Sequence, residues 1–121
     1  MAELVVEGSE LVVRMSAWER AAAFRGDIRV PLDAVRAVGV EPDPWGTLRG
    51  IRAPGTGWPG VIAYGVRRMT GERPDFAAVL RRRPAVLVKL DPPAEFAQLL
   101  VSVADAEATV ASVRSAAQSS S

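Results

Sequence analysis

Two glycine-rich stretches are the first candidates for chemistry in this sequence. Residues 55–60 read GTGWPG, which matches the GxGxxG pattern of dinucleotide-binding sites, and residues 50–56 read GIRAPGT, which has the glycine spacing of a phosphate loop. Each site needs a helix that starts at the glycines, because the amide groups of the helix N-terminus hold the phosphates. Pro59 interrupts such a helix start, the following VIAYGV alternates like a strand, and the phosphate loop lacks its lysine. We therefore predict a loop that binds no nucleotide, in which glycines permit positive φ values and prolines add stiffness.

The residue types that usually carry catalysis are largely missing. The chain has no histidine and no cysteine, which excludes Ser-His-Asp and Cys-His arrangements and the common zinc sites. Asp27, Asp33, Asp75 and Asp91 are scattered, and none falls into a close helical pair or a metal-loop spacing. Tyr64 stands in an alternating run and is expected in the core or at its edge. We expect no enzymatic activity, no cofactor and no metal.

Charge is concentrated in one short run of arginines. Fifteen basic and 14 acidic residues give a net charge of +1, which argues against a dedicated nucleic-acid-binding protein. The densest run is Arg81–Arg83. If the two strand-like segments before it pair as a hairpin, Arg67 and Arg68 lie near the turn and Arg81 lies roughly 20 Å away, at the open end. Arg81–Arg83 are then expected beside Gly60.

A candidate anion or partner surface follows from this placement. The loop that leads to Gly60 carries Arg49, Arg52 and Trp58, so these side chains are predicted to converge with Arg81, Arg82 and Arg83. Clustered guanidinium groups hold sulfate, phosphate or acidic peptides through bidentate hydrogen bonds. The alternative is an ordinary solvated turn, since an exposed ion pair contributes only about 0–1 kcal/mol.

The elements that position these residues are mostly strands. Alternating or β-branched runs predict strands at Leu4–Val6, Leu11–Met15, Asp27–Leu32, Arg36–Glu41, Val61–Arg68, Phe76–Leu80 and Ala85–Leu90. Residues 42–60 are dense in Pro and Gly and are predicted to be a long loop, with at most a short extended piece at Leu48–Ile51. Trp45 and Trp58 in this loop either pin it to the domain or face a partner, and we favour pinning. The segment Phe96–Val103 fits both helical spacing and alternation.

Two helices are predicted. In SAWERAAAFRG, Ser16 and Glu19 have capping-box spacing, and the helix is expected to bury Trp18, Ala21 and Ala22. The second helix begins after Asp105 and carries one apolar stripe, formed by Ala106, Val110, Val113 and Ala117. Residues 1–117 are expected to form a single domain, followed by a disordered tail at residues 118–121.

The order of these elements resembles a known family. IRVPLDAVRAVGVE, then VIAYGVRRMTGERPDFAAVLRRRPAVLVKL, then FAQLLVSVADAEATVASV look like the small bacterial pleckstrin-homology-like (PH-like) domains. The resemblance implies a mainly β fold: an antiparallel sandwich or partly open barrel of about seven strands, a short helix after strand 2 and a capping C-terminal helix. It also favours a strand at Phe96–Val103. Inositol-phosphate-binding members carry basic residues at the first hairpin turn, where this chain has Glu7, Gly8, Ser9 and Glu10.

The resemblance implies a non-enzymatic interaction or assembly module. We expect a protein partner, with self-association as a further expectation. The alternative function is binding of an anionic lipid headgroup or another polyanion through the Arg81–Arg83 end of the barrel. The N-terminal MAELVVEGSE lacks the basic start and apolar run of a signal peptide, and no stretch approaches the length of a membrane span, so a cytoplasmic location is expected.

Overall fold

The chain forms a mainly β structure that ends in a helix, as predicted. The computed structural model describes residues 1–120, apart from the side chains of residues 51–54 and 120. Within this part the elements are β1 (Glu3–Glu7), β2 (Glu10–Arg14), α1 (Ala17–Ala23), β3 (Ile28–Pro31), a 3-10 turn (Leu32–Ala34), β4 (Val35–Glu41), α2 (Pro44–Thr47), β5 (Ile51–Trp58), β6 (Ile62–Arg68), β7 (Asp75–Leu80), β8 (Ala85–Leu90), β9 (Gln98–Ser102) and α3 (Ala106–Ser120).

The first sheet is a three-stranded antiparallel unit in the order β1-β2-β3. Its β1–β2 hairpin is the predicted one: Glu7 lies opposite Glu10, and Gly8 takes a φ of 61° in the turn between them. A positive φ of this size is easily reached only without a side chain, so glycine suits the turn. The 3-10 turn after β3 then leads the chain into the second sheet.

The second sheet has six strands in the order β4-β8-β9-β7-β6-β5. β9 confirms the strand alternative for Phe96–Val103. It lies between β8, to which it is antiparallel, and β7, to which it is parallel. The parallel pair and the total of nine described strands differ from the seven antiparallel strands expected. The parallel pair arises because β7 and β8 run in opposite directions but leave one strand position between them, and β9 fills it after the connection at residues 91–97.

Arg73 stabilises the connection between β8 and β9, residues 91–97. Arg73 donates hydrogen bonds to the carbonyl oxygens of Leu90, Ala94 and Phe96 at 2.7–3.0 Å. A single side chain, which offers several donors in a fixed geometry, thereby binds three carbonyl groups. Neither sheet closes on itself, and the edge strands are β1 and β3 in one sheet and β4 and β5 in the other.

The long loop predicted for residues 42–60 is wrong in its second half. The first half contains the short helix α2, and in the second half β5 runs antiparallel to β6 from Ile51 to Trp58. Glycine and proline have low strand propensity, so the sequence of β5 hides its pairing. An irregularity in register between Arg52 and Gly55 accommodates the unusual composition.

Helix α1 has the predicted capping box, but of the three residues expected to be buried only Ala22 is half-buried against the core. Glu19 and Ala23 are fully buried, whereas Trp18 is 48% exposed and Ala21 is also exposed. The helix ends at Phe24, which takes the left-handed conformation with a φ of 57°. The inward position of Glu19 follows from its partner, because the Tyr64 hydroxyl donates a 2.5 Å hydrogen bond to its carboxylate.

One hydrophobic core joins both sheets and α3. Phe76 and Phe96 pack with ring centroids 5.9 Å apart, and Val110 and Val113 of α3 are buried against the same core. Helix α3 contacts both β1 and β4, so it bridges the two sheets as a cap. It continues through residues 118–120, where a disordered tail was expected, and the Ser119 hydroxyl donates to the carbonyl of Ser115 within the helix. Ser121 lies outside the described residues.

Candidate interaction surface

The glycine-proline motif ends in a tight turn between β5 and β6. The Val61 amide donates to the Trp58 carbonyl at 2.9 Å, and Gly60 has a φ of 78°. Proline at the second position and glycine with positive φ at the third are typical of a type II β-turn. The turn ends the strand and begins another, so no helix N-terminus is present to hold a pyrophosphate.

The next turn along the same end of the sheet carries the three arginines. The Arg81 amide donates to the Val61 carbonyl at 2.6 Å, and the Arg81 carbonyl accepts from Trp45 Nε1 at 2.6 Å. These two bonds hold Arg81 at a φ of 54°, a conformation that non-glycine residues rarely adopt. Nη2 of Arg82 lies beside Gly60, 3.7 Å from where a Cβ atom would stand. Arg81 and Arg82 therefore lie beside the Gly60 turn, as predicted, and Arg83 follows them in the same turn.

Apolar and basic side chains are exposed together on these two turns. Trp58 is 69% exposed and Val61 is 40% exposed, and Arg81, Arg82 and Arg83 are all exposed. We call these five residues the tryptophan–arginine surface. Among the described residues, none makes a hydrogen bond or an ion pair with the three guanidinium groups.

Most other arginines of the chain are paired. Arg14 and Arg29 bind Glu7, and further ion pairs join Arg20 to Asp27, Arg25 to Glu95, Arg36 to Asp91 and Arg49 to Asp75. The three adjacent unpaired cations are thus a local departure from a nearly neutral surface. Such a cluster attracts carboxylates and phosphates more strongly than isolated arginines do.

Shallow cavities flank the tryptophan–arginine surface on both sides. One of about 280 Å³ is lined by Trp45 of α2, by Leu48 after it, by the β5–β6 turn, and by Ala63 and Arg67 of β6. The other, of about 380 Å³, lies beside Arg83 and the start of α3, where Val40, Asp105 and Glu107 also line it. Val40 is 39% exposed. The surface is therefore uneven, with recesses of about 280 and 380 Å³.

Two of the predicted surface residues lie elsewhere. Arg49 forms a bidentate ion pair with the buried Asp75, Nε to Oδ2 at 2.7 Å and Nη2 to Oδ1 at 3.0 Å, and this pairing raises the pKa of its guanidinium. Arg52 stands opposite Arg67 in the β5–β6 register, and its side chain lies outside the described residues. Because Trp58 is six residues further along β5, both lie roughly 20 Å from the tryptophan–arginine surface. The predicted convergence of all six residues is wrong for these two.

Trp45 and Trp58, the two tryptophans of the predicted loop, differ in burial. Trp45 packs with Leu48 and Leu87 against a second apolar cluster on the outer face of the six-stranded sheet, formed by Ala63, Ala77, Val79, Ala85 and Leu100. For Trp45, the favoured prediction of pinning is confirmed. Trp58 is exposed, so the other alternative applies to it.

Three of the four aspartates weighed as catalytic candidates, Asp27, Asp75 and Asp91, have structural partners. Asp27 accepts from the Met15 amide at 3.0 Å and pairs with Arg20, and Asp91 lies 3.7 Å from Arg36. Tyr64 is buried as expected. Within the described part of the chain, no group of three or more acidic side chains is placed to hold a metal ion.

Tyr64 and Glu19 form a buried pair that sequence patterns did not indicate. Besides the Tyr64 hydroxyl, the Glu19 carboxylate accepts hydrogen bonds from the amide and the hydroxyl of Ser16, each at 3.0 Å. Burial and the bond to Glu19 raise the pKa of Tyr64 above its ordinary value. Burial also opposes ionisation of Glu19, but the donated hydrogen bonds outweigh it and lower the pKa of the carboxyl. The pair holds α1 on β6.

No helix in the described residues is long and apolar enough to cross a membrane. No protein-family model, no curated protein and no solved structure matches this chain.

Proposed function

We propose that this chain is a non-enzymatic interaction module of PH-like architecture, and that it binds an acidic protein segment through the tryptophan–arginine surface. The architecture is supported by two sheets that share one core with a C-terminal helix, although the parallel β7–β9 pair departs from the family pattern. The observation that carries the binding proposal is the exposure of Trp58 and Val61 next to three unpaired arginines.

This composition is typical of residues that dominate binding energy at protein interfaces. Tryptophan and arginine are enriched among such residues, and three adjacent guanidinium groups bind carboxylates through paired hydrogen bonds. The backbone that carries them is already held, because the Arg81 amide and carbonyl both have partners. A held backbone has less conformational entropy to lose on binding.

A protein partner suits the shape of the surface better than an anionic membrane, which is the alternative. A partner's side chains fill the two flanking cavities, whereas a flat bilayer leaves them empty. Asp105 and Glu107 also line the cavity beside Arg83, so the acidic residues of the partner are expected at the three arginines and not inside that cavity.

Site-specific photo-crosslinking tests the proposal. Benzoylphenylalanine in place of Trp58 is expected to give discrete, protease-sensitive adducts in the cell of origin, and the same group in place of the exposed Lys89, on β8, is expected to give none. Replacing Arg81, Arg82 and Arg83 with alanine should remove the adducts. The matched triple variant Arg36→Ala, Arg68→Ala, Lys89→Ala loses the same charge and should keep them.

Two results contradict the proposal. Equal adducts at positions 58 and 89, or none at position 58, exclude a specific protein site at this surface. Adducts that resist protease, together with sedimentation on anionic liposomes that the Arg81–Arg83 variant alone loses, identify the lipid alternative. Binding of either kind should weaken with added salt, because the Debye length falls to about 3 Å at 1 M.

A further inference from the structure

Helix α1 turns an apolar side toward solvent. Trp18 is 48% exposed and Phe24 is 63% exposed, and Ala17 and Ala21 between them are exposed as well. Residues 17, 18 and 21 fall within about 100° of the helix circumference at 100° per residue, on the side opposite Glu19 and Ala23, and Phe24 follows at the end of the helix. We call Ala17, Trp18, Ala21 and Phe24 the α1 face.

The orientation of the helix is fixed by its other side. Glu19 is fully buried and accepts hydrogen bonds from Tyr64 at 2.5 Å and from the Ser16 amide at 3.0 Å. Rotating α1 to bury Trp18 would take the carboxylate away from these donors. Exposure of the apolar face is therefore built into the fold.

Phe24 adds a second, separate observation. Its left-handed conformation, with a φ of 57°, is one that glycine or asparagine favours at a helix end, yet the chain places a large exposed ring there. The ring does not pack in the core. A residue that is unfavourable for the backbone and is not used in packing indicates a role outside the monomer.

The charges beside the α1 face indicate what covers it. Arg20 is paired with Asp27 at 3.3 Å, and Arg25 is paired with Glu95 at 3.3 Å, so each cation near the helix has its own anion. A strongly acidic or strongly basic partner gains little from such a neutral surround. A second copy of the same face matches it, since both signs of charge are present on each side.

We propose that two copies of this chain associate through the α1 face in a symmetric dimer, with the two helices antiparallel and position 21 near the two-fold axis. This inference rests on the α1 face alone and does not depend on the proposed function. A seven-residue helix is only about 10 Å long, so the interface is small and the dimer is weak and dependent on concentration. Because the charges are balanced, the association should change little with salt.

Sedimentation velocity of the full chain, from about 10 µM to about 1 mM, measures the association. The wild type is expected to shift from monomer to dimer across this range. Ala21→Glu and Phe24→Gly should each raise the dissociation constant about tenfold or more. Ala21→Glu places two carboxylates near the axis, and Phe24→Gly removes the ring at a position where glycine is favoured, so neither should lower the melting temperature markedly.

The controls separate this interface from other contacts. Ala111→Glu makes the same change at an exposed alanine on α3 and should leave the dimer intact. Ala21→Arg should be monomeric alone and should associate with Ala21→Glu in an equimolar mixture, because the dimer brings the two positions together. A wild type that stays monomeric at about 1 mM, a dimer that tolerates both Ala21→Glu and Phe24→Gly, or a mixture that fails to associate would overturn the proposal.

Discussion

Replacing Tyr64 with phenylalanine removes one hydroxyl group from the core and leaves the ring in place. This hydroxyl donates to the Glu19 carboxylate at 2.5 Å, and both side chains are buried. A hydrogen bond to a charged group contributes about 1.5–3 kcal/mol. Glu19 keeps its donors from Ser16, so we expect a loss of about 2 kcal/mol in the free energy of unfolding at neutral pH. For a chain of this length the melting temperature then falls by about 6–10 °C.

The size of this loss should depend on pH. The folded-state pKa of Glu19 is lowered from 4.5, and the bond from Tyr64 is the largest effect that lowers it. A carboxylate with a lowered pKa stabilises the fold above its unfolded pKa, and this stabilisation is lost as the pH falls through the folded pKa. Without the Tyr64 hydroxyl, the pKa of Glu19 is lowered less. The difference between wild type and Tyr64→Phe should therefore narrow in acid, to about the 1 kcal/mol of a neutral hydrogen bond.

Urea unfolding, followed by circular dichroism at pH 7 and at about pH 3, measures both quantities. A double-mutant cycle with Glu19→Gln isolates the pair and should give a coupling energy of at least about 1 kcal/mol at neutral pH. Equal unfolding midpoints for wild type and Tyr64→Phe would refute the reasoning. So would a difference that is the same at both pH values, because the partner of the hydroxyl would then not be an ionised carboxylate.

Two further predictions concern the cap and the glycine motif. Val110→Asp buries an unpaired charge under α3 and should lower the free energy of unfolding, measured by thermal unfolding, by about 3 kcal/mol or more. Ala111→Asp, at an exposed neighbour, should lower it by less than about 1 kcal/mol, and equal effects of the two substitutions would contradict the capping role of α3. Calorimetric titration with NAD, NADP and ATP should show no binding, because residues 58–61 form a turn between strands; a stoichiometric heat signal would contradict this.

Alternation and capping signals were sufficient for most of the fold. The strand predicted at Ala85–Leu90 has the same bounds in the structure, and β6 differs from its prediction by one residue. Alternate positions of these strands pack on the main core, so local sequence and burial agree; they are Ile62, Tyr64 and Val66 in β6 and Val86, Val88 and Leu90 in β8. The separation of Arg81 from Arg67 also followed from sequence, since it needs only hairpin pairing and the rise of a strand.

The error in the candidate surface has a single source. Treating residues 42–60 as a loop allowed Arg49 and Arg52 to lie beside Gly60. β5 is instead a strand antiparallel to β6, so its first residues lie opposite Arg67 and Arg68, at the far end. Its pairing depends on a backbone ladder rather than on side-chain preference, and glycine and proline give no local signal of such a ladder. A single misassigned element thus displaced two of six candidate residues.

The exposure of Trp18 and Ala21 on α1 shows where local periodicity stops predicting burial. Trp18, Ala21 and Ala22 form an apolar stripe, and a stripe predicts burial when hydrophobicity alone decides. Here Tyr64, 45 residues away in sequence, supplies a buried donor that only an inward carboxylate can use. Leaving that donor unpaired in the core would cost more than exposing part of one indole ring, which still contacts Tyr64 with centroids 5.3 Å apart. The fold therefore satisfies a polar pair in the core and leaves apolar area at the surface, where a second copy can cover it.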